Sequence, residues 1–400
     1  MSVAIIVDTF PRWSERFIAR ELNELQRRGL DFTIYCLKAG DSDCERDPEF
    51  EDLIARRVVL PSCFLPSFAR ELGMDEAAKE RMRLVEKELG ITAFRQIGCA
   101  DSLTKLIRER RHQIVYAHFA SLPSTLGWLA AEALKLPLVI SCHARDVFVE
   151  AQLLREKLQC ARRVFTCNSK AFDELCTIET RIGLSGKTML MHHGLPLERY
   201  SFNESRRDRF ESDENLHLLA AGRLVPKKGF DMLIDALARP ELENCRIQFA
   251  LLGDGPQLRA LQMRVLSNKL KCVALRGRIV GEKLEEWFNW ADVLAVPSVE
   301  IEGDSDGVPN VLLESFALGL PVIGTDAGSL SDVLNVKTGF VVKAESNKQM
   351  ITQNLALGIC EMRADPAAIF GRAEAARAVI EERYDIRKNI EPLLKELTTP

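Results

Sequence analysis

The sequence contains no C-x-x-C pair, although it has eleven cysteines. Thiols scattered in odd number, with Cys36, Cys142 and Cys167 inside strand-like runs, exclude a disulfide or zinc framework and read as small core residues in a reducing compartment. Long hydrophobic runs are missing too: no stretch reaches the roughly 18 apolar residues that a bilayer span needs. The opening MSVAIIVDTF has no basic segment and runs directly into a strand-like stretch ended by Asp8, so an export signal is not expected and the cytoplasm is. Charge of one sign is also scarce. A net charge of −4 excludes bulk affinity for nucleic acid and leaves any phosphate chemistry to local cationic sites. No G-x-G-x-x-G follows the first strand, where Asp8-Thr9-Phe10-Pro11 stands, which disfavours a dinucleotide dehydrogenase.

What is present is an ordinary globular composition, 46% hydrophobic and 28% charged, over 400 residues, a length that predicts two domains. Short apolar runs alternate with helical patterns, the signature of an α/β fold with parallel sheets covered on both faces. The first half offers strands at Val3–Val7, Phe32–Leu37, Ile114–Ala117, Leu138–Cys142, Val164–Cys167 and Met189–His192. A helix is predicted over Ser14–Arg28, with Ser14 as its cap and Gly29 as its stop. Residues 41–100 show no readable period. A polar stretch, Asn203–Asn215, breaks the series, and new strands follow at Leu216–Ala221, Ile247–Leu252, Val273–Leu275, Val293–Val296, Val322–Gly324 and Phe340–Val342. The expected domains are 1–205 and 206–383. Residues 384–400, carrying a last helix Ile386–Leu397, are expected to pack back on the first domain.

Open α/β sheets bind ligands at the carboxyl ends of their strands, where helix starts and loops converge. In the first half those positions hold Asp8-Thr9, His118, His143, Asn168-Ser169 and His193-Gly194, and four of the six histidines fall on this rim. In the second half they hold Gly222-Arg223, Gly253-Asp254-Gly255, Arg278, Pro297-Ser298 and Thr325-Asp326. Within Gly222–Gly229 (GRLVPKKG), Arg223 and Lys228 flank a tight Pro226 loop and can converge on one pyrophosphate, the arginine as a planar fork and the lysine as a point charge. In Asp304–Val322, Pro309 and Gly319 bound a short helix, Pro309–Leu318, with Glu314 inside it and Asp306 in the loop before. Backbone N–H groups of Gly307, Val308 and Asn310 would then face a phosphate at the helix start. Taken alone, the same pattern fits an amphipathic helix with a solvated Glu314.

Together these residues carry a resemblance. V-Y-A-H-F-A (Val115–Ala120), S-C-H-A-R-D (Ser141–Asp146), H-G-L-P (His193–Pro196), A-G-R-L-V-P-K-K-G-F-D (Ala221–Asp231), L-L-G-D-G-P (Leu251–Pro256) and D-G-V-P-N-V-L-L-E (Asp306–Glu314) occur in the order seen in retaining glycosyltransferases of family 4. The chain resembles that family over nearly its whole length, and its opening P-R-W-S-E-R-F resembles the exopolysaccharide and colanic-acid-type members. Three positions depart: Arg16 replaces a threonine, Tyr116 a histidine and Asp306 a glutamate. The resemblance implies the GT-B fold, two Rossmann-like domains facing a central cleft. It implies a hexose donor linked to UDP or GDP, a glycan or polyprenyl-linked acceptor, and no cofactor. By motif, His118, Arg223, Lys228, Asp306 and Glu314 would be catalytic. Gly222, Gly253, Asp254, Arg278, Ile279, Gly307, Val308, Pro309 and Asn310 would bind the donor, and Glu15, His143, Arg145 and Asp146 would line the acceptor side.

A D-S-D tripeptide, which in another glycosyltransferase fold holds a divalent ion, occurs at Asp41–Asp43 and Asp304–Asp306. Both lie in acidic loops, and no required metal is expected. Rival readings are a nucleotide-sugar epimerase or phosphorylase-like enzyme, and a non-catalytic sugar-nucleotide-binding partner. Arg56-Arg57 and the apolar Val58–Arg70 suggest either a peripheral contact with the inner face of the cytoplasmic membrane or a segment packed on the first domain.

Overall fold

The computed structural model describes residues 1–61, 80, 83–85, 87–88, 93–212, 215–301, 307–344 and 347–399. The chain divides into two compact units: Met1–Gly194 with Ile386–Pro400, and Leu195–Asp385. Among the described residues no helix is long and apolar enough to cross a membrane.

The first unit is built on seven strands: β1 (Ser2–Phe10), β2 (Asp31–Ala39), β3 (Arg57–Val59), β4 (Ile114–His118), β5 (Leu138–Cys142), β6 (Arg163–Thr166) and β7 (Thr188–Leu190). Their order is β3-β2-β1-β4-β5-β6-β7, and every pairing is parallel. Val3–Val7 are fully buried, as a central strand covered on both faces requires. On one face the helix Arg16–Arg27 contributes Ile18, Leu22 and Leu25 to a core with Val3, Ile5 and Val7. On the other face the helix Leu122–Leu134 approaches closely through Gly127, where a Cβ would lie 3.1 Å from Ile6 Cδ1.

The second unit has six strands: β8 (Leu216–Ala221), β9 (Ile247–Leu252), β10 (Val273–Leu275), β11 (Val293–Val296), β12 (Val322–Thr325) and β13 (Phe340–Val342). They run parallel in the order β10-β9-β8-β11-β12-β13. Strand order therefore reverses between β1 and β4 in one sheet and between β8 and β11 in the other, the positions where α/β sheets open a crevice for ligands.

Several sequence expectations need adjustment. Ser14 does not cap the first helix; it lies in a 3₁₀ turn, Trp13–Glu15, and the helix begins at Arg16. The unit boundary falls at Leu195, not near residue 206, because the Leu195 N–H donates to Tyr384 O and the Asn203 N–H to Leu318 O. The polar stretch after Asn203 contains a helix, Arg206–Ser212, whose Arg206 is 1% exposed and donates to Phe288 O and Ala291 O. Burial pushes that guanidinium down to about 10. The terminal helix is two short ones, Ile386–Asn389 and Glu391–Thr398, separated where Pro392 removes an N–H. Ile390, Leu393 and Leu397 complete the first unit's core beside Val139, Phe165 and Met191. Burying each leucine stabilises that unit by about 2 kcal/mol.

The basic, apolar segment read either as a membrane contact or as a segment packed on the first domain begins as edge strand β3, paired with Ile34–Cys36. Arg57 donates to Phe10 O and pairs with Glu45, Arg56 lies over the Phe32 ring, and Leu60 is buried. The remainder of that segment, from residue 62, lies outside the described residues.

Candidate active site

In the second unit, the loops that follow β8 and β9 lock together through their backbones. Leu224 N–H donates to Asp254 O, and Gln257 N–H donates to Leu224 O. This packing leaves no room for a side chain at Gly253, where a Cβ would lie 1.9 Å from Gly222 O. Gly229 adopts φ +65, caps the helix Phe230–Leu237, and sits against Pro297 O at the end of β11. Val299 N–H donates to Lys227 O, so the loops after β8 and β11 also touch.

This frame places the cations. Arg223 is exposed; its carbonyl accepts the Val225 N–H, and its guanidinium forms no hydrogen bond or ion pair with any described residue. The Lys228 stem packs over Gly222, with Cε 3.4 Å from where a Cβ would stand. Asp254 and Arg278 are exposed, the Asp254 carboxylate accepting the Gly255 N–H at 2.7 Å, while Ile279 is half-buried against the core. Beyond β11 the helix spans Asn310–Ala317, with Pro309 as its cap and not its first residue. Gly307, Val308, Pro309 and Asn310 are half-buried at its start, where the first N–H groups have no partner within the helix. Glu314 is 5% exposed, and Tyr200 Oη donates to its carboxylate at 3.5 Å. Asp306 and the second D-S-D lie outside the described residues.

In the first unit, His118 ends β4 and is fully buried, 4.7 Å from the Tyr116 ring. Its Nε2 lies 3.1 Å from Glu21 Oε1, the same oxygen that accepts from Tyr116 Oη at 2.7 Å. Burial, and then the Glu21 carboxylate, pushes the Tyr116 hydroxyl far up. His143 follows β5 and packs among rings: Phe119 at 4.4 Å, Phe17 at 5.0 Å and His193 at 5.2 Å. Both His143 ring nitrogens and His193 Nε2 are buried without a hydrogen-bond partner among the described residues. Burial, then His143, His118 and His192, holds His193 well below the ordinary histidine range, so it is neutral.

The other acceptor-side expectations fare differently. Glu15 pairs with Arg12 at 2.8 Å, and burial outweighs that partner to raise its carboxyl. Arg145 is exposed and bonded to Glu150 at 2.8 Å. Asp146 is 1% exposed, and its Oδ2 accepts both the Ala120 and the His143 N–H at 3.0 Å, so it builds the wall and leaves that oxygen no role toward a ligand. Sequence reasoning missed Phe17 and left His193 on the rim without a role. A histidine-glycine pair directly after a strand was the available signal. At Asp41, Oδ2 accepts the Trp13 N–H, so the first D-S-D serves a turn.

Comparison with known proteins agrees with this architecture. Residues 14–199 match the family model described as Glycosyltransferase Family 4, and residues 215–357 the model described as Glycosyl transferases group 1. The chain is 31% identical over 293 residues, 68% of its length and 74% of the relative's, to a GDP-mannose-dependent alpha-(1-6)-phosphatidylinositol monomannoside mannosyltransferase of Mycolicibacterium smegmatis. It is 24% identical over 338 residues, 82% of the chain and 81% of the relative, to a glycosyltransferase named for teichuronic acid biosynthesis in Bacillus subtilis. A solved structure of an Anabaena protein in complex with UDP and glucose has a TM-score of 0.73 at 18% identity, with both chains covered in full.

Proposed function

Because the chain belongs to the family 4 glycosyltransferases of the GT-B fold, we propose that it moves a hexose, with retention of anomeric configuration, from a UDP- or GDP-linked donor. The acceptor is a glycan or a polyprenyl-linked sugar in envelope or extracellular polysaccharide synthesis, the setting named for its relative from Bacillus subtilis. A polyprenyl-linked acceptor brings the enzyme to the inner face of the cytoplasmic membrane.

One observation carries the reading. At the β8/β11 switch point, a backbone-locked loop presents Arg223 and Lys228 while the helix Asn310–Ala317 after β11 holds a buried Glu314. Bond breaking leaves new negative charge on the diphosphate. Arg223 and Lys228 neutralise it, helped by the amides around Gly307–Asn310, each positioned group contributing about 3 kcal/mol. Glu314 accepts from ribose hydroxyls, and Asp306 from those of the sugar. Gly222 and Gly253 let the nucleotide approach the backbone, with Asp254, Arg278 and Ile279 around it. In the first unit His118, His143, Glu15 and Arg145 serve the acceptor side.

A cationic clamp supplies the charge that a divalent ion would otherwise provide, so no metal or cofactor is required. Glu314 acts as a hydroxyl ligand and not as a nucleophile: it is buried in a helix and shared with Tyr200. A panel of UDP- and GDP-sugars, screened for binding and slow hydrolysis, tests the proposal. Wild type binds at least one, and Glu314→Ala and Lys228→Ala weaken it. No binding to any donor, or wild-type binding by both variants, sinks it.

A further inference from the structure

Lys157 belongs to none of the motifs above, yet it is 1% exposed and lies in the helix Leu154–Cys160. Its ammonium has three protons and three acceptors: Ala120 O at 2.5 Å, Ser121 O at 2.9 Å and Gln152 O at 3.0 Å. A buried ammonium is costly unless every donor is satisfied, and here every donor is. Two of the three acceptors belong to the turn that leaves β4 directly after His118.

The same turn is held from its other side. Ala120 N–H donates to Asp146 Oδ2 at 3.0 Å, so one peptide residue is gripped through its N–H by a buried carboxylate and through its C=O by a buried ammonium. Both charges serve backbone groups, and the two side chains form no ion pair with each other. Between His118 and this residue stands Phe119 at φ +72, a left-handed conformation that a β-carbon disfavours and that persists only when its surroundings impose it. Phe119 N–H is also fixed, to Ser141 O at 2.8 Å. The imposed conformation turns the Phe119 ring onto His143, at 4.4 Å, and so sets the ring cluster beside His118.

We infer that Lys157 is a positioning residue for sugar transfer: with Asp146 it clamps the His118–Ser121 turn and thereby fixes the wall against which the acceptor reacts. The inference rests on the transferase reading and on His118 lying in that wall. It predicts a split that a merely structural lysine would not give, since the donor clamp belongs to the other unit.

The test uses the full chain, Lys157→Met, and the sugar nucleotide selected by the donor screen. Amide exchange in the peptide carrying Ala120 and Ser121 should rise by roughly tenfold or more. Turnover should fall by about tenfold to a hundredfold, the loss expected of a misplaced wall, while the donor KM stays within about twofold. Unchanged exchange at Ala120 overturns the clamp, and faster exchange with unchanged turnover overturns the positioning role. Where Lys157→Met does not fold, wild type supplies the answer. Burial lowers the Lys157 ammonium to about 8 against the groups that face it: the Cys142 thiol on β5, itself pushed far up by burial, and the carboxylates Asp146 on the helix Ala144–Phe148 and Glu156 on its own helix. Turnover should therefore decline as pH rises through about 8 with donor KM flat, and a turnover level across that range overturns the proposal. A wild type inert toward every donor fails the transferase reading itself, is seen before any variant is made, and takes this inference with it.

Discussion

The two strand-end rims are built from opposite materials. In the second unit the frame is backbone: glycines bring the loops after β8, β9 and β11 into contact, and Arg223, Asp254 and Arg278 stay at the surface. In the first unit the frame is side chains: Asp146 and Lys157, each 1% exposed, hold the turns that carry His118 and His143. At the second rim the Arg223 guanidinium faces outward, whereas the buried charges of Asp146 and Lys157 at the first are consumed by backbone groups. The difference separates function from stability. Removing a rim cation from the second unit should cost catalysis and little stability, whereas the first unit should lose both together.

The largest expected effect is Lys228→Ala. If the ammonium meets the diphosphate, turnover falls by about a hundredfold to a thousandfold, or about 3–4 kcal/mol of transition-state stabilisation. The thermal midpoint should hardly move, because Lys228 is a loop residue whose stem lies over Gly222 at the rim and outside the apolar core. A large drop in midpoint would mean that the second rim, too, is held by side-chain charge. Gly253→Ala is the opposite probe. A Cβ at that position would stand 1.9 Å from Gly222 O, so the loops must part. Melting should show a loss of about 2–4 kcal/mol, with weaker binding, by calorimetry, of whichever sugar nucleotide the donor screen selects. Wild-type stability in this variant would contradict a backbone-built frame.

The second unit was legible in sequence almost strand by strand, and for the same reason. Parallel strands buried on both faces read as continuous apolar runs, and the glycines needed for backbone contact at Gly229, Gly253 and Gly255 are visible as letters. The first unit was legible in its sheet and less so in its site. Tyr116 and His118 on β4 meet Glu21 on the helix Arg16–Arg27, two elements far apart in sequence, and no local pattern announces that Glu21 faces inward. Asp146 carries a familiar motif, yet only the fold shows its carboxylate taking two N–H groups. Arg206, in a stretch polar enough to read as a linker, is buried because two carbonyls at Phe288 and Ala291 receive it. Of the three departures from the family pattern, position 306, the one most relevant to donor choice, lies outside the described residues.

Acid should separate the two units by a smaller amount. His112 is 5% exposed, with Nδ1 2.9 Å from Ser2 Oγ and Nε2 3.0 Å from Tyr35 Oη, both neutral partners. Burial, and then the nearby Arg110 charge, lowers it from 6.5 to about 4. The folded first unit therefore keeps His112 neutral at a pH where the unfolded chain protonates it. Stability from this group is intact above pH 6.5 and is lost as pH falls from 6.5 toward 4, by on the order of 2 kcal/mol. Calorimetric melts at descending pH should show the first unit's transition moving toward lower temperature ahead of the second's. In His112→Gln, an uncharged side chain that still offers a donor and an acceptor, most of that gap should close. If it persists unchanged, the acid sensitivity of the first unit lies in a buried carboxylate such as Glu49, which burial pushes up but Arg20 and Arg16 hold below the usual range, and the contrast between the two units would extend to pH as well as to mutation.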